Sequence, residues 1–208
     1  MEKNYYLTSF RKLNLSELIT GHVEIIPGVN ITNDTSIKTK YLNSEFAAIA
    51  GAIETAYLEN APNFVFGELN ASLIKVRPPE ATLFAILLWI NDLFKNAWLL
   101  KDHAMECEAA YLRIDSEDIS GWYSNFLGGR PSFANCDVWD EIEMSIAELK
   151  VWGQKNDEVE NYLHESNVAS AGFMMAKEYS RLGRAMHFVS SARTAPNIAF
   201  KIASYCSA

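Results

Sequence analysis

Between Pro78 and Asp102 the chain carries apolar residues that do not fit one stripe of a helix. Leu83, Phe84, Leu87, Trp89, Ile90, Leu93, Phe94, Ala97 and Trp98 cover most of a helical circumference. A helix that is apolar on nearly every side must be wrapped by other elements. Pro78-Pro79-Glu80 sets its start: a first-turn proline gives up an N–H that has no partner there, and the Glu80 carboxylate faces the positive end of the helix dipole. The unbroken run Leu83–Ile90 spans eight residues, against about 20 for a bilayer-crossing helix. A buried central helix is therefore predicted, with no membrane segment.

The wrapping comes first from short β-favouring runs. Tyr5–Phe10, Val23–Ile26, Val29–Thr32 and Ile37–Tyr41 read as strands, with turns at Pro27-Gly28 and Asn33-Asp34. Ser44 reads as the cap of a helix whose Phe46, Ile49, Ala50, Ile53 and Tyr57 form a core-facing ladder. Phe64–Phe66, Leu73–Val76 and Glu106–Ile114 read as further strands, and 115–134, rich in Ser, Gly, Asn and aromatics, as a long loop. An amphipathic helix over Asp137–Trp152 follows, with Asp140, Glu141 and Glu143 on its polar face, then a short helical stretch at Asn156–His164. Ser166-Asn167 caps a helix in which Met175, Tyr179, Leu182, Met186 and Val189 make a packing seam. Thr194–Asn197 breaks it and starts a last helix with Ile198, Ile202 and Tyr205 or Cys206 facing the core. The expected class is α+β: short N-terminal strands packed on the central helix, then an antiparallel helical region, with the domains divided as 1–135 and 136–208.

Net charge of −8 and a pI near 5.0 argue against a general nucleic-acid coat. The charge is uneven, however. Residues 177–208 hold Lys177, Arg181, Arg184, Arg193 and Lys201 against Glu178 alone, a local basic surface on which Arg181, Arg184, Arg193 and Lys201 could meet RNA. Cys107, Cys136 and Cys206 are odd in number and scattered, which fits reduced thiols; with no apolar signal core in the first residues, a cytoplasmic location is expected.

Few residues carry chemistry by pattern. Asp102-His103-Ala-Met-Glu106-Cys107 is the densest set of metal-ligand types, and on a helix His103 and Cys107 would share one face. A two-ligand set does not make a zinc site, so neither a metal nor any other cofactor is assigned. No GxSxG elbow is present, and Gly128-Gly129-Arg130 lacks the lysine and hydroxyl of a phosphate loop. Cys136 has no neighbouring His or Lys to activate it. On a helix Arg184 and His187 meet one turn apart, with Arg181 to the side; arginines beside a histidine favour its neutral form, as RNA cleavage would require. Trp122, Tyr123 and Phe126 make an aromatic cluster suited to anchoring a protein partner.

From Tyr179 onward, and most clearly over Arg184–Ala208, the chain resembles the opening of an Apea-like HEPN domain: a helix closing on an Arg, a short break, then an apolar helix of small residues. The strands and the Trp-containing central helix are similar to the region preceding that domain. The resemblance implies the sensor or scaffold part of a prokaryotic defence or toxin-related protein whose parent is a metal-independent ribonuclease. In that family the catalytic Arg and His, with four to six residues between them, lie later than the helix on which this sequence stops. Arg181 and His187 match the spacing, but Leu182 stands where the family places a polar residue, so the catalytic role is not carried over. The last helix shows no stop signal, so continuation beyond Ala208 is expected, with a homodimer through the C-terminal helices. Two other readings stand beside this one: a non-enzymatic module binding protein through the aromatic segment, and a hydrolase assembled around His103 and Cys107.

Overall fold

The computed structural model describes residues 4–70, 78–116, 118–128, 132–133, 137, 139–165, 181–195 and 197–207. Its elements run β1 (Tyr5–Thr8), β2 (Leu13–Leu15), β3 (Val23–Ile26), β4 (Val29–Thr32), α1 (Thr35–Tyr41), α2 (Ser44–Ala50), α3 (Ala52–Asn60) and β5 (Phe64–Glu68). Then come α4 (Pro79–Ala97), β6 (Ala109–Asp115), β7 (Ser120–Phe126), β8 (Ile142–Met144), α5 (Ile146–Glu165), α6 (Arg181–Thr194) and α7 (Ile198–Ser207). The α+β class holds. Among the described residues no helix is long and apolar enough to cross a membrane.

Six strands form one antiparallel sheet in the order β3-β4-β5-β1-β6-β7. Alternate residues of a strand point to opposite faces, and both faces here are covered. Tyr6, Val65 and Leu112 join the larger core with Leu83, Leu87, Ile90 and Phe94 of α4 and with Leu149 and Trp152 of α5. Leu7, Phe64, Phe66 and Tyr111 join the smaller core with Tyr41 of α1, Phe46 of α2 and Leu58 of α3. The sheet is thus the middle of three layers. β2 and β8 form a separate two-stranded parallel ladder, Leu13 opposite Ile142, and α5 is tied to α4 by the Trp152 indole, which donates to the Leu93 carbonyl at 3.1 Å.

The two sheet edges differ. At β3 the register slips between Glu24 and Ile26, and a Cβ on Gly153 of α5 would collide with the Ile25 carbonyl oxygen. Strand carbonyls lie in the sheet plane, so α5 reaches β3 from its side and blocks it. At β7, among the described residues, no strand follows.

Several sequence expectations are corrected. Ile37–Tyr41 is helical, because Asp34 caps α1 by accepting from the Ser36 N–H at 2.9 Å. The helix expected from Ser44 to Tyr57 breaks at Gly51, whose φ of +85° suits glycine; Ile49 and Ile53 then point outward, 59% and 83% exposed. The expected loop at 115–134 contains β7, paired along its length with β6. The helix expected from Asp137 begins at Ile146, so Asp140, Glu141 and Glu143 precede it rather than lining its polar face, and it continues through Glu165 without the expected second start. Ile198, Ile202 and Tyr205 are exposed, not core-facing. Leu73–Val76, Ser166-Asn167, Met175 and Tyr179 lie outside the described residues.

Candidate functional site

The basic candidates separate into two groups. Arg184 and His187 are exposed on α6 one turn apart, while the Arg181 side chain lies outside the described residues. Arg193 is the correction: it is 2% exposed and faces inward. Its Nη1 donates to Asp102 Oδ1 at 2.6 Å, its Nη2 to the carbonyls of His103 (3.1 Å) and Ser132 (3.0 Å), and its Nε to Ser132 Oγ at 3.2 Å. Lys201 donates to the carbonyls of Phe133 (2.5 Å) and Arg193 (3.2 Å), with its ammonium 3.8 Å from the centre of the Phe133 ring. Two of the four cations expected to face RNA are therefore turned to structure: Arg193 fastens α6 to the chain that follows α4, and Lys201 fastens α7 to Phe133 and to the end of α6.

His103 and Cys107 do not share a helix face, because α4 ends at Ala97 and the chain at 101–107 is not helical. His103 Nε2 lies 3.1 Å from the Phe94 carbonyl and its Nδ1 accepts from the Met105 N–H at 3.1 Å, so both ring nitrogens are engaged. Burial, and secondarily the Arg193 guanidinium, pulls the imidazole down to about 4. Cys107 meets Thr8 Oγ1 at 3.0 Å, and burial pushes its thiol up to about 12. At neutral pH this is an uncharged imidazole and an unionised thiol, each tied to a different neighbour. Among the described residues no group of three or more His, Cys, Asp and Glu gathers as a metal site.

The aromatic candidates lie on β7 and have different surroundings. Trp122 is half-buried, edge-on to Tyr5 (centroids 5.5 Å) and Phe46 (5.1 Å), and among the described residues its buried indole N–H has no hydrogen-bond partner. Tyr123 packs on the larger core from the other face. Phe126 is 62% exposed. It lines a cleft of about 240 Å³ between α3, the chain that follows β1 and strand β6, together with Ile53 of α3. The polar groups of the cleft are mutually engaged: Arg11 with Glu108 at 2.5 Å, Ser9 with the Tyr57 hydroxyl at 3.1 Å, and the Tyr111 hydroxyl with Glu54 at 3.1 Å. Burial raises the phenols of Tyr57 and Tyr111 above their ordinary value, so both stay protonated at neutral pH, Tyr111 donating to Glu54 and Tyr57 accepting from Ser9.

No protein-family model, curated protein or solved structure matches the chain. The cleft was not visible in the sequence. Ile53 reads as a core residue of a continuous helix, and Arg11 and Glu108, 97 positions apart, meet only through the sheet. The one local signal was Gly51, which interrupts the ladder and turns Ile53 outward.

Proposed function

We propose that this chain is a non-enzymatic interaction module that takes up an apolar side chain of another polypeptide in the cleft beside α3. The observation that carries this is the pairing of two exposed apolar residues, Ile53 (83%) and Phe126 (62%), over polar groups already bonded to one another. A single exposed isoleucine is ordinary, whereas apolar residues gathered at a concave surface with a polar surround mark an interaction site. Size points the same way: small-molecule pockets run roughly 300–1,000 Å³, and a cleft of about 240 Å³ suits one or two side chains.

Selection from a random displayed-peptide library against the immobilised chain tests this. Retained peptides are expected to share a large apolar residue, and Ile53→Asp or Phe126→Ser should abolish retention without moving the melting temperature. A library that yields nothing above background, or retention indifferent to both substitutions, overturns the proposal.

A second reading keeps the HEPN-type resemblance, in which the C-terminal helices are scaffold for a ribonuclease parent. It is supported by α7, which packs against α6 while Ile198, Ile202 and Tyr205, at helical spacing, stay 74%, 58% and 37% exposed. Retention of single-stranded RNA by the chain, lost in Arg184→Ala and His187→Ala, would favour this reading; no retention removes its support.

A further inference from the structure

The outer edge of β7 has a definite hydrogen-bonding phase. The Leu127 N–H donates to the Glu108 carbonyl at 2.7 Å, and the Ser116 N–H to the Ile119 carbonyl at 3.0 Å. In an antiparallel ladder the inward and outward backbone groups alternate. Residues 119, 121, 123, 125 and 127 therefore bond toward β6, and 120, 122, 124 and 126 present their N–H and C=O groups outward. The Phe126 N–H is taken by Asn125 Oδ1 at 2.8 Å. Ser120, Trp122 and Ser124 remain, and among the described residues nothing bonds their outward groups. Natural edges are guarded by lysine, proline, bulges or a covering element. Ser120–Phe126 has no charge and no proline, while the opposite edge is both bulged and covered.

The surface above this edge is apolar as well. α4 packs over β6 and β7, and Phe84 and Leu88, one turn apart on it, are 43% and 44% exposed. At about 100° per residue Phe84 stands about 120° around α4 from Asn96, which bonds Asn156 of α5 at 2.9 Å, and Leu88 about 80° from it, so Phe84 lies on the flank turned from α5 and Leu88 on the crest beside it.

We infer that the occupant of this edge is a second copy of the chain, its β7 antiparallel to the first, with Trp122 and Ser124 exchanging backbone bonds about a two-fold axis near Tyr123. Charge favours self-pairing at this place on an acidic molecule. The strand itself is neutral, and antiparallel pairing carries Asp115 and Asp118 of the two copies to opposite ends of the new ribbon. The spacing fits on the helical side. With strands about 4.8 Å apart, a helix over β6 and β7 lies about 5 Å from the axis. The two α4 helices then run about 10 Å apart, the distance of packed helices, with Phe84 and Leu88 buried between them. The result is one twelve-stranded sheet made of two six-stranded halves.

Sedimentation equilibrium across a dilution series tests this without any ligand, so it stands or falls apart from the cleft. A dimer is expected for the wild type. Ser124→Pro removes only an outward N–H, and Leu88→Glu acts from a different element. Each should raise the dimer dissociation constant about tenfold or more with unchanged far-UV circular dichroism, while Ile202→Asp on α7 leaves it unchanged. In the wild type the Trp122 and Ser124 amides should exchange with deuterium more slowly as concentration rises. A monomer at every concentration overturns the inference, as does a dimer that Ile202→Asp dissociates and Ser124→Pro and Leu88→Glu leave intact.

Discussion

Arg193 Nη1 stands 2.6 Å from Asp102 Oδ1, and through this pair α6 is joined to the chain that leaves α4. The guanidinium side is nearly sealed, with 3% of the side chain exposed against 29% for Asp102. Removing one partner of such a buried pair leaves the other groups unpaired. Arg193→Ala should therefore destabilise the fold by about 3 kcal/mol, and Arg193→Lys, which keeps the charge but loses the planar fork, by a large part of that. Urea unfolding followed by circular dichroism measures both, and a loss within experimental error would show that the tie contributes nothing.

His103 sets a pH window. Its folded-state pKa is about 4 against an ordinary value of 6.5, so between those values the unfolded chain binds a proton that the folded chain refuses. Stability therefore declines as pH falls from 6.5 toward 4, is complete above the window, and has no further loss from this group below it. At pH 5 the deficit relative to pH 7.5 should be about 2 kcal/mol. His103→Asn, compared at the two pH values by urea titration, should flatten that difference. An equally steep dependence in the variant would assign it to other groups.

The aromatic pair on β7 should respond unequally. Trp122→Ala opens the smaller core beside Tyr5 and Phe46 and is expected to cost about 2–3 kcal/mol, below the full value for a buried aromatic because Trp122 is only half-buried. Phe126→Ala removes an exposed ring and should stay within about 0.5 kcal/mol. Equal effects in guanidinium melts would contradict the assigned environments.

Gly153 offers a test of the α5–β3 contact. Gly153→Ala gains helix propensity in isolation, yet its Cβ meets the Ile25 carbonyl oxygen, a backbone atom with little room to move. The clash should win, lowering stability by about 1–3 kcal/mol. Differential scanning calorimetry decides the sign.

How much could be read beforehand follows from whether the stabilising contact is local. α4 was legible because its apolar density announces burial whatever surrounds it. β7 was not, since Ser120-Gly-Trp-Tyr-Ser-Asn-Phe126 has loop composition and is held by pairing with β6. The start of α5 is written locally. Ser145 and Glu148 form a capping box, with the Glu148 N–H donating to Ser145 Oγ at 3.2 Å and the Ser145 N–H to Glu148 Oε2 at 2.9 Å. The helical period of Ile142, Ile146 and Leu149 hid it. Asp34 was likewise read as a turn residue although it caps α1. The inward turn of Arg193 depends on the carbonyls of His103 and Ser132, 90 and 61 positions away, and no local pattern encodes that.

The blocked side of the sheet limits how far this architecture can grow. A strand array open at both margins can add copies indefinitely, which is the route to fibres. Here Gly153 lets α5 press against the β3 backbone and stopper one margin. Any extension from β7 would use up the one margin of the six-stranded sheet left uncovered among the described residues, so growth of that sheet would halt at a closed pair.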